Sequence, residues 1–464
     1  MPYRQLCDRV MEIMDQNCID LHSFVIMHKG AVVAERYRKP FSAGFLHRMY
    51  SSTKSFTGIA VLKLVDEGKL RLEDHICDLF ADRFDVSQAH PYFRDLTVRD
   101  ALRMATCYSE QAYSANDRNW LERYFCCKPT HPPGTLYYYD SSGSYMLGAL
   151  VRHITGMHFL DYLRPILDKI GFSKEARCLK GPDRESWASS ALLATTRDLA
   201  KFAALLANFG SYNGEQLISE SLIRDAIRPQ IVNYDDASDT TYAWHRGYGY
   251  QIWILRDNAF FLNGAGAQFA IGFPDRELVF ACNGDTQGNA AVAKHVIFDT
   301  IWKEILPNFP VTRPLPPEEP KPTVQEQVNG VTWKLNENPM GISDVCLTFT
   351  ENGGMLRWNK SGAEKQIPYG FGEPAYCSFP ERYNGDILFS LETLKEYRCA
   401  VDAKWTEPHK IMITVRAQDD YFGNLVMVFS FKGTEIGIKM HKNAQFFFDD
   451  YQGFAGGYRE NEKI

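Results

Sequence analysis

No stretch of this chain is apolar for long enough to cross a membrane or to lead an export signal. The longest apolar helix candidate, Phe56 to Val65, is interrupted by Thr57, Gly58 and Lys63, far short of the roughly 20 residues that a span needs. The first residues, MPYRQLCDRVMEIMDQ, mix charge with apolar positions at helical spacing and lack the unbroken core of a signal peptide. A cytoplasmic protein is expected. An excess of positive charge is missing as well: a net charge of −6 argues against nucleic acid or anionic membrane as a partner. Metal-ligand spacing is missing among the eleven cysteines, whose one adjacent pair, Cys126-Cys127, is neither a zinc nor a redox pattern. An odd number of cysteines without an export signal implies reduced, mostly buried thiols. No metal or cofactor is expected.

At 464 residues the chain exceeds one ordinary core, so two or three domains are expected. The seam is Pro307 to Pro322, with seven prolines among charges. Proline fixes φ and removes a donor, so this segment reads as an extended linker outside any core. It separates residues 1–306 from residues 323–464. The first region opens with a helix, Tyr3 to Gln16, and a hairpin, SFVIMH and AVVAERY, turning at Lys29-Gly30. An apolar helix closed by Gly68 comes next, then amphipathic segments at Val98–Ala105, Ser144–Thr155 and Thr196–Phe209. Strands return as GYGYQIWIL, AFFLNG, QFAIGF and LVFACNG, the last pair turning at Pro274-Asp275-Arg276, before a closing helix from Asn289 to Ile305. Strands and a helix at both ends, with helices inserted between, imply an α/β (α+β) fold: an antiparallel sheet flanked by helices plus a helical subdomain, with a cleft between the layers. Beyond the linker, GVTWKL, DVCLTFT, GDILFSL, HKIMITVRA, NLVMVFSF and EIGIKM are short strand runs at regular spacing, the pattern of an all-β barrel or sandwich. No catalytic constellation stands out there, which suits a structural or lid-forming accessory domain.

The chain's one Ser-x-x-Lys, Ser51-Ser52-Thr53-Lys54, heads the apolar helix. Residues three apart on a helix share a face, so hydroxyl and amine can meet. The positive end of the helix favours negative charge developing on the serine. An exposed lysine, with a pKa of about 10.4, is no base at neutral pH, and bringing it to about 7–8 costs about 4 kcal/mol of destabilised ammonium. Burial can supply that, and Phe56, Ile59, Ala60, Val61, Leu62, Leu64 and Val65 predict a helix buried on most sides. A second cluster, Pro133 to Ser141, places three tyrosines and a polar run between a Pro-Gly turn and a helix. On residue type alone it reads as a core edge followed by a helix cap, with a catalytic tyrosine as the alternative.

Taken in order, these segments resemble the serine β-lactamase-like hydrolase family: class C β-lactamases, D-Ala-D-Ala carboxypeptidases and related esterases and amidases. The likeness runs through the strand pair ending at Tyr37, RMYSSTKSFTGIA from Arg48 with LVDEGKLRLED behind it, and PPGTLYYYDSSGSYMLG from Pro132. It continues through ATTRDLAKFAALLANFG from Ala194, GYGY from Gly247 and GAGAQ from Gly264, covering roughly the first 305 residues. The resemblance implies Ser51 as acylated nucleophile, Lys54 as its base, and Tyr139, the tyrosine at the family's spacing from Pro133-Gly134, as partner in proton transfer. It implies that Ser141 holds the lysine by a hydrogen bond, and that backbone N–H groups of Ser51 and Gln268 form an oxyanion hole. Gly266 and Ala267 would border the substrate. The strand-rich end resembles the lipocalin-like β-domains of some members.

Two departures matter. Ser141 stands where true β-lactamases carry Asn, as in the esterase and amide-hydrolase branches. The third motif, Lys-Thr-Gly or His-x-Gly in the family, here reads Ala265-Gly266-Ala267, so that strand offers no cation to a substrate carboxylate; His245-Arg246 is a candidate replacement. These readings converge on a serine hydrolase that cleaves a small ester or amide through a Ser51 acyl-enzyme, with no nucleic-acid or membrane partner and its oligomeric state open. A β-lactamase or D,D-peptidase, and an acyltransferase, are alternatives in the same chemistry. A catalytically silent binding protein on the same scaffold is the alternative from a different class.

Overall fold

In the computed structural model, which describes residues 3–233, 245–315, 321–382, 396–419, 422–444 and 447–460, two sheets organise the chain. The first contains seven strands: β1 (Leu21–His28), β2 (Ala31–Tyr37), β3 (His245–Tyr248), β4 (Trp253–Leu255), β5 (Phe260–Gly264), β6 (Gln268–Phe273) and β7 (Leu278–Gly284). They are antiparallel in the order β2-β1-β7-β6-β5-β4-β3. The start and end of the region therefore meet mid-sheet, β1 running along β7 from Leu21 opposite Gly284 to His28 opposite Leu278.

Six of the helices set the layers: α1 (Tyr3–Gln16), α2 (Thr53–Asp66), α3 (Ser141–Thr155), α4 (Phe159–Leu167), α5 (Thr196–Ala207) and α6 (Ala290–Thr300). Leu6, Cys7, Val10 and Met14 recur on one stripe of α1, which packs with α6 on one face of the sheet. α5 and the helical subdomain cover the other face, and α2 runs through its centre, buried without a break from Thr53 to Leu62. A helix apolar all round belongs inside, and this one is.

Two expectations need correction. GYGYQIWIL is two strands, not one: Gln251 turns with φ +60° between β3 and β4. Its side-chain amide donates to the carbonyls of Ala101 and Leu102 at 3.1 and 3.0 Å. Satisfying those buried acceptors overrides the local strand pattern. The Pro-rich segment is also more than a linker outside the core. Phe309 is buried against the rings of Tyr3 and His28, and Arg313 donates to the carbonyls of Ala207 and Pro274. Proline denies the backbone ladder bonds but leaves side chains able to strap the domain. Residues 316–320 lie outside the described part.

Ten strands between Thr332 and Arg459 hydrogen bond in succession. A parallel pairing of Gly370-Phe371 with Asp402-Ala403 closes nine of them into a barrel, so barrel, not sandwich, is the outcome. Trp333, Phe379, Tyr397, Phe448 and Tyr451 belong to its packed core. Of the expected strand runs, GDILFSL (385–391) lies outside the described residues; the others fall on strands. Among the described residues no helix is long and apolar enough to cross a membrane.

Candidate active site

Ser51 sits in a single 3-10 turn, Tyr50–Ser52, that leads into α2. Lys54 follows on the same face, its Nζ 3.1 Å from Ser51 Oγ. The flanking hydroxyls tie this turn to three other parts of the domain. Ser52 Oγ donates to Gln268 O (2.7 Å), Ser55 Oγ donates to Gln251 O (2.8 Å), and Thr53 Oγ1 accepts from Leu192 N (3.1 Å). Such a cage fixes Ser51 without using its own hydroxyl.

Lys54 is 1% exposed. Besides Ser51 it reaches Ser189 O, donating over 2.8 Å, and lies 4.9 Å from the centroid of the Tyr139 ring. Burial pulls its pKa down to about 7, opposed by the buried carboxylate of Asp140. Tyr139, half-buried, is hydrogen-bonded with Ser51; burial pushes its pKa up to about 12 despite that bond. Near neutrality about half of the amine is therefore free to accept a proton, while about one phenol in 10⁵ is ionised. Of the two groups beside the serine, the amine is the one able to act as a base.

Ser141 is the first residue of α3. Its neighbour Asp140 caps that helix, accepting from Ser142 N (2.7 Å) and Gly143 N (3.0 Å). Among the described residues the second bond of the Lys54 amine goes to Ser189 O, and the Ser141 bond implied by the resemblance is not formed.

The third motif is a turn of small residues held from outside. Gly264 pairs with Gln268 at the head of the β5–β6 hairpin, and Ala265-Gly266-Ala267 close it, Ala267 with a left-handed φ of +68°. A Cβ on Gly264 would stand 2.2 Å from Met49 O, so only glycine lets β5 run against the turn that carries Ser51. The Gln268 side chain braces the loop: Nε2 donates to the carbonyls of Gly266 (2.9 Å) and Gly284 (2.7 Å), and Oε1 accepts from Asn283 Nδ2 (2.7 Å). Asn283 Oδ1 in turn accepts from Thr196 Oγ1 (2.6 Å). The turn keeps its shape with no basic side chain in it.

Ser51, Tyr139, Trp253, Thr286 and Lys294 line a cleft of about 250 Å³ together with Asn263 and the Gly264–Ala267 turn. Lys294, on α6, is the cation among these described lining residues. His245 is instead buried beside Trp253, and Arg246 points to the exposed side, so His245-Arg246 does not supply it. Sequence reasoning missed Lys294, Trp253 and the Ser189 carbonyl. The first two depend on the register of elements across the sheet edge, and a backbone acceptor leaves no trace in residue type.

A family model described as Beta-lactamase matches residues 10–299. The chain is similar to the 6-aminohexanoate-dimer hydrolase of Paenarthrobacter ureafaciens, 22% identical over 241 residues, 46% of this chain and 58% of that protein. It is also similar to penicillin-binding protein 4 of Amycolatopsis lactamdurans, 29% identical over 153 residues, 31% of this chain and 38% of that protein. The match spans less than two thirds of either relative's length. The crystal structure of SurE superposes with a TM-score of 0.54 at 14% identity, covering 99% of each chain, which shows a shared fold. The family match covers all seven strands of the first sheet and every residue that lines the Ser51 cleft, and the chain belongs to the beta-lactamase family of serine hydrolases.

Proposed function

We propose that the protein hydrolyses small esters or amides through an acyl-enzyme on Ser51. Neutral Lys54 takes the serine proton as Oγ attacks the acyl carbon, and the oxyanion is met by the backbone N–H groups of Ser51 and Gln268. The Ser52 Oγ bond to Gln268 O, which holds β6 against the nucleophile turn, supports that pairing. Collapse expels the leaving group, which receives its proton from the Tyr139 hydroxyl; the Lys54 ammonium, 4.9 Å from the centroid of the Tyr139 ring, returns that proton to the phenolate and is neutral again in the acyl-enzyme. Water then attacks the ester and gives its proton to the amine, which passes it to Ser51 Oγ as the tetrahedral intermediate collapses and the acid product departs. One observation carries the reading: a buried amine with a pKa of about 7, 3.1 Å from the only Ser-x-x-Lys serine.

The cleft of about 250 Å³ lies below the ~300–1,000 Å³ of drug-sized sites, which favours short acyl groups. Small residues at Ala265-Gly266-Ala267 and the serine at 141 favour an esterase or amide hydrolase over a β-lactamase or D,D-peptidase. Similarity to a hydrolase named for a 6-aminohexanoate dimer points the same way. A fluorophosphonate probe should add its mass to the wild type at Ser51 and leave Ser51→Ala unmodified, and p-nitrophenyl esters of short acids should be turned over faster than nitrocefin. An unlabelled wild type would return the chain to a silent scaffold, and faster nitrocefin turnover to the β-lactamases.

A further inference from the structure

The segment that delivers Tyr139 is clamped between the two domains. On its inner side Gly134 N donates to Ala105 O (2.7 Å) and Tyr138 N to Met104 O (3.0 Å). On its outer side stands the wall of the barrel. Lys432 Nζ donates to Pro133 O (2.9 Å), and His131 stacks on Phe454 with centroids 5.1 Å apart. Tyr138 meets the same ring edge-on at 5.9 Å, and Leu136 is fully buried against Met412 and Val428.

Two barrel glycines make the approach possible. Gly437 and Gly456 are direct cross-strand partners. A Cβ on Gly437 would stand 2.4 Å from Thr135 Oγ1, and one on Gly456 would stand 2.9 Å from His131 Cα. Neither glycine has a left-handed φ, so the backbone of the barrel does not demand them. The neighbouring domain does. Thr135 has little room to retreat, because its hydroxyl donates to Pro132 O at 2.6 Å and its side chain is buried.

We infer that the barrel is a positioning element of the hydrolytic site, its outer wall setting how far the Pro132–Tyr138 segment carries Tyr139 toward Ser51. The inference rests on the proton-relay reading of Tyr139 given above. Ser51 and Lys54 are held by α2, β6 and Ser189, without a hydrogen bond to the barrel, so a disturbed barrel wall acts on the tyrosine and leaves the serine–lysine pair in place. A methyl group on Gly437 must push Thr135 back by about 1 Å to reach ordinary contact, and a reacting group misplaced by that much loses activity by about 10²-fold.

The test is Gly437→Ala in the full chain, alone and combined with Tyr139→Phe, assayed as kcat and KM on a p-nitrophenyl ester with folding checked by near-UV circular dichroism. Alone, the substitution should lower kcat about ten-fold or more with KM within about two-fold. In the Tyr139→Phe background the same substitution should cost less than about two-fold, because both lesions act through one group. Lys432→Met, which removes only the bond to Pro133 O, should show the same dependence in weaker form, and it decides the matter if the glycine variant does not fold. Equal losses in both backgrounds overturn the inference. So do fully active, folded barrel variants beside an impaired Tyr139→Phe; in both cases the catalytic reading survives. A fully active Tyr139→Phe overturns the catalytic reading and the inference together.

Discussion

The buried amine of Lys54, the proposed base, carries a thermodynamic cost. Lowering its pKa from 10.5 to about 7 corresponds to about 5 kcal/mol of destabilised ammonium. Because the folded pKa lies below the unfolded one, the unfolded chain binds more protons between pH 7 and pH 10.5, and this group makes stability rise with pH across that window. Lys54→Met should therefore abolish turnover by about 10³-fold or more while raising stability at neutral pH by about 1–3 kcal/mol. The gain should shrink at higher pH, read by urea denaturation of both proteins in the two buffers; a variant less stable at neutral pH contradicts the assignment. Lys294 gives the cleft its second testable charge. Lys294→Ala should raise KM about ten-fold for p-nitrophenyl esters whose acyl chain ends in a carboxylate and leave KM for the acetate ester within about two-fold. Parallel shifts for both substrates would remove Lys294 from substrate binding.

At the scale of elements, the β5–β6 turn depends on one amide. Gln268→Ala removes the side-chain donor to the carbonyls of Gly266 and Gly284 and the oxygen acceptor of the Asn283 amide, which should cost about 1–3 kcal/mol. It should lower kcat more than it raises KM, since the Gln268 N–H moves with the turn; unchanged kcat in a destabilised variant would separate the brace from the oxyanion hole. This brace is a good measure of what sequence can reveal. The helix that follows Ser51 was legible because Phe56, Ile59, Ala60, Val61, Leu62, Leu64 and Val65 make it apolar on most sides, and α1 because Leu6, Val10 and Met14 repeat at helical spacing. Gln268 and Asn283 look like ordinary strand residues until β6 and β7 are paired. The break at Gln251 was hidden for a similar reason, since it satisfies carbonyls about 150 residues away. Among the barrel strands, Gly353–Lys360 and Ala363–Phe371, which pair with each other as a hairpin, escaped notice because exposed Arg357 and Glu364 interrupt their apolar runs.

Across the whole molecule, the two domains share buried polar contacts as well as apolar ones. Glu407, at the tip of a barrel hairpin, accepts from Val232 N (2.5 Å) and from Lys410 Nζ (2.8 Å). Burial pushes its pKa up, but Lys410 and His409 outweigh it and hold the carboxyl below its usual value. A depressed carboxylate stabilises above its unfolded pKa and loses that contribution as pH falls through the folded one, so this contact should fail only in acid. Glu407→Ala leaves Lys410 buried without its partner and should cost about 3–5 kcal/mol. Calorimetry should then split one cooperative transition into two, and a single unshifted transition would argue against the contact as a coupling element. The predicted effects on turnover presuppose that a neutral amine activates Ser51. The rate of Ser51 acylation by an uncharged p-nitrophenyl ester, followed by stopped flow across about pH 5 to 9, tests that directly. The account predicts a single acid limb with its midpoint near 7 and a plateau above it. A flat profile, or a rate still climbing toward the ordinary lysine range of about 10.4, would contradict it.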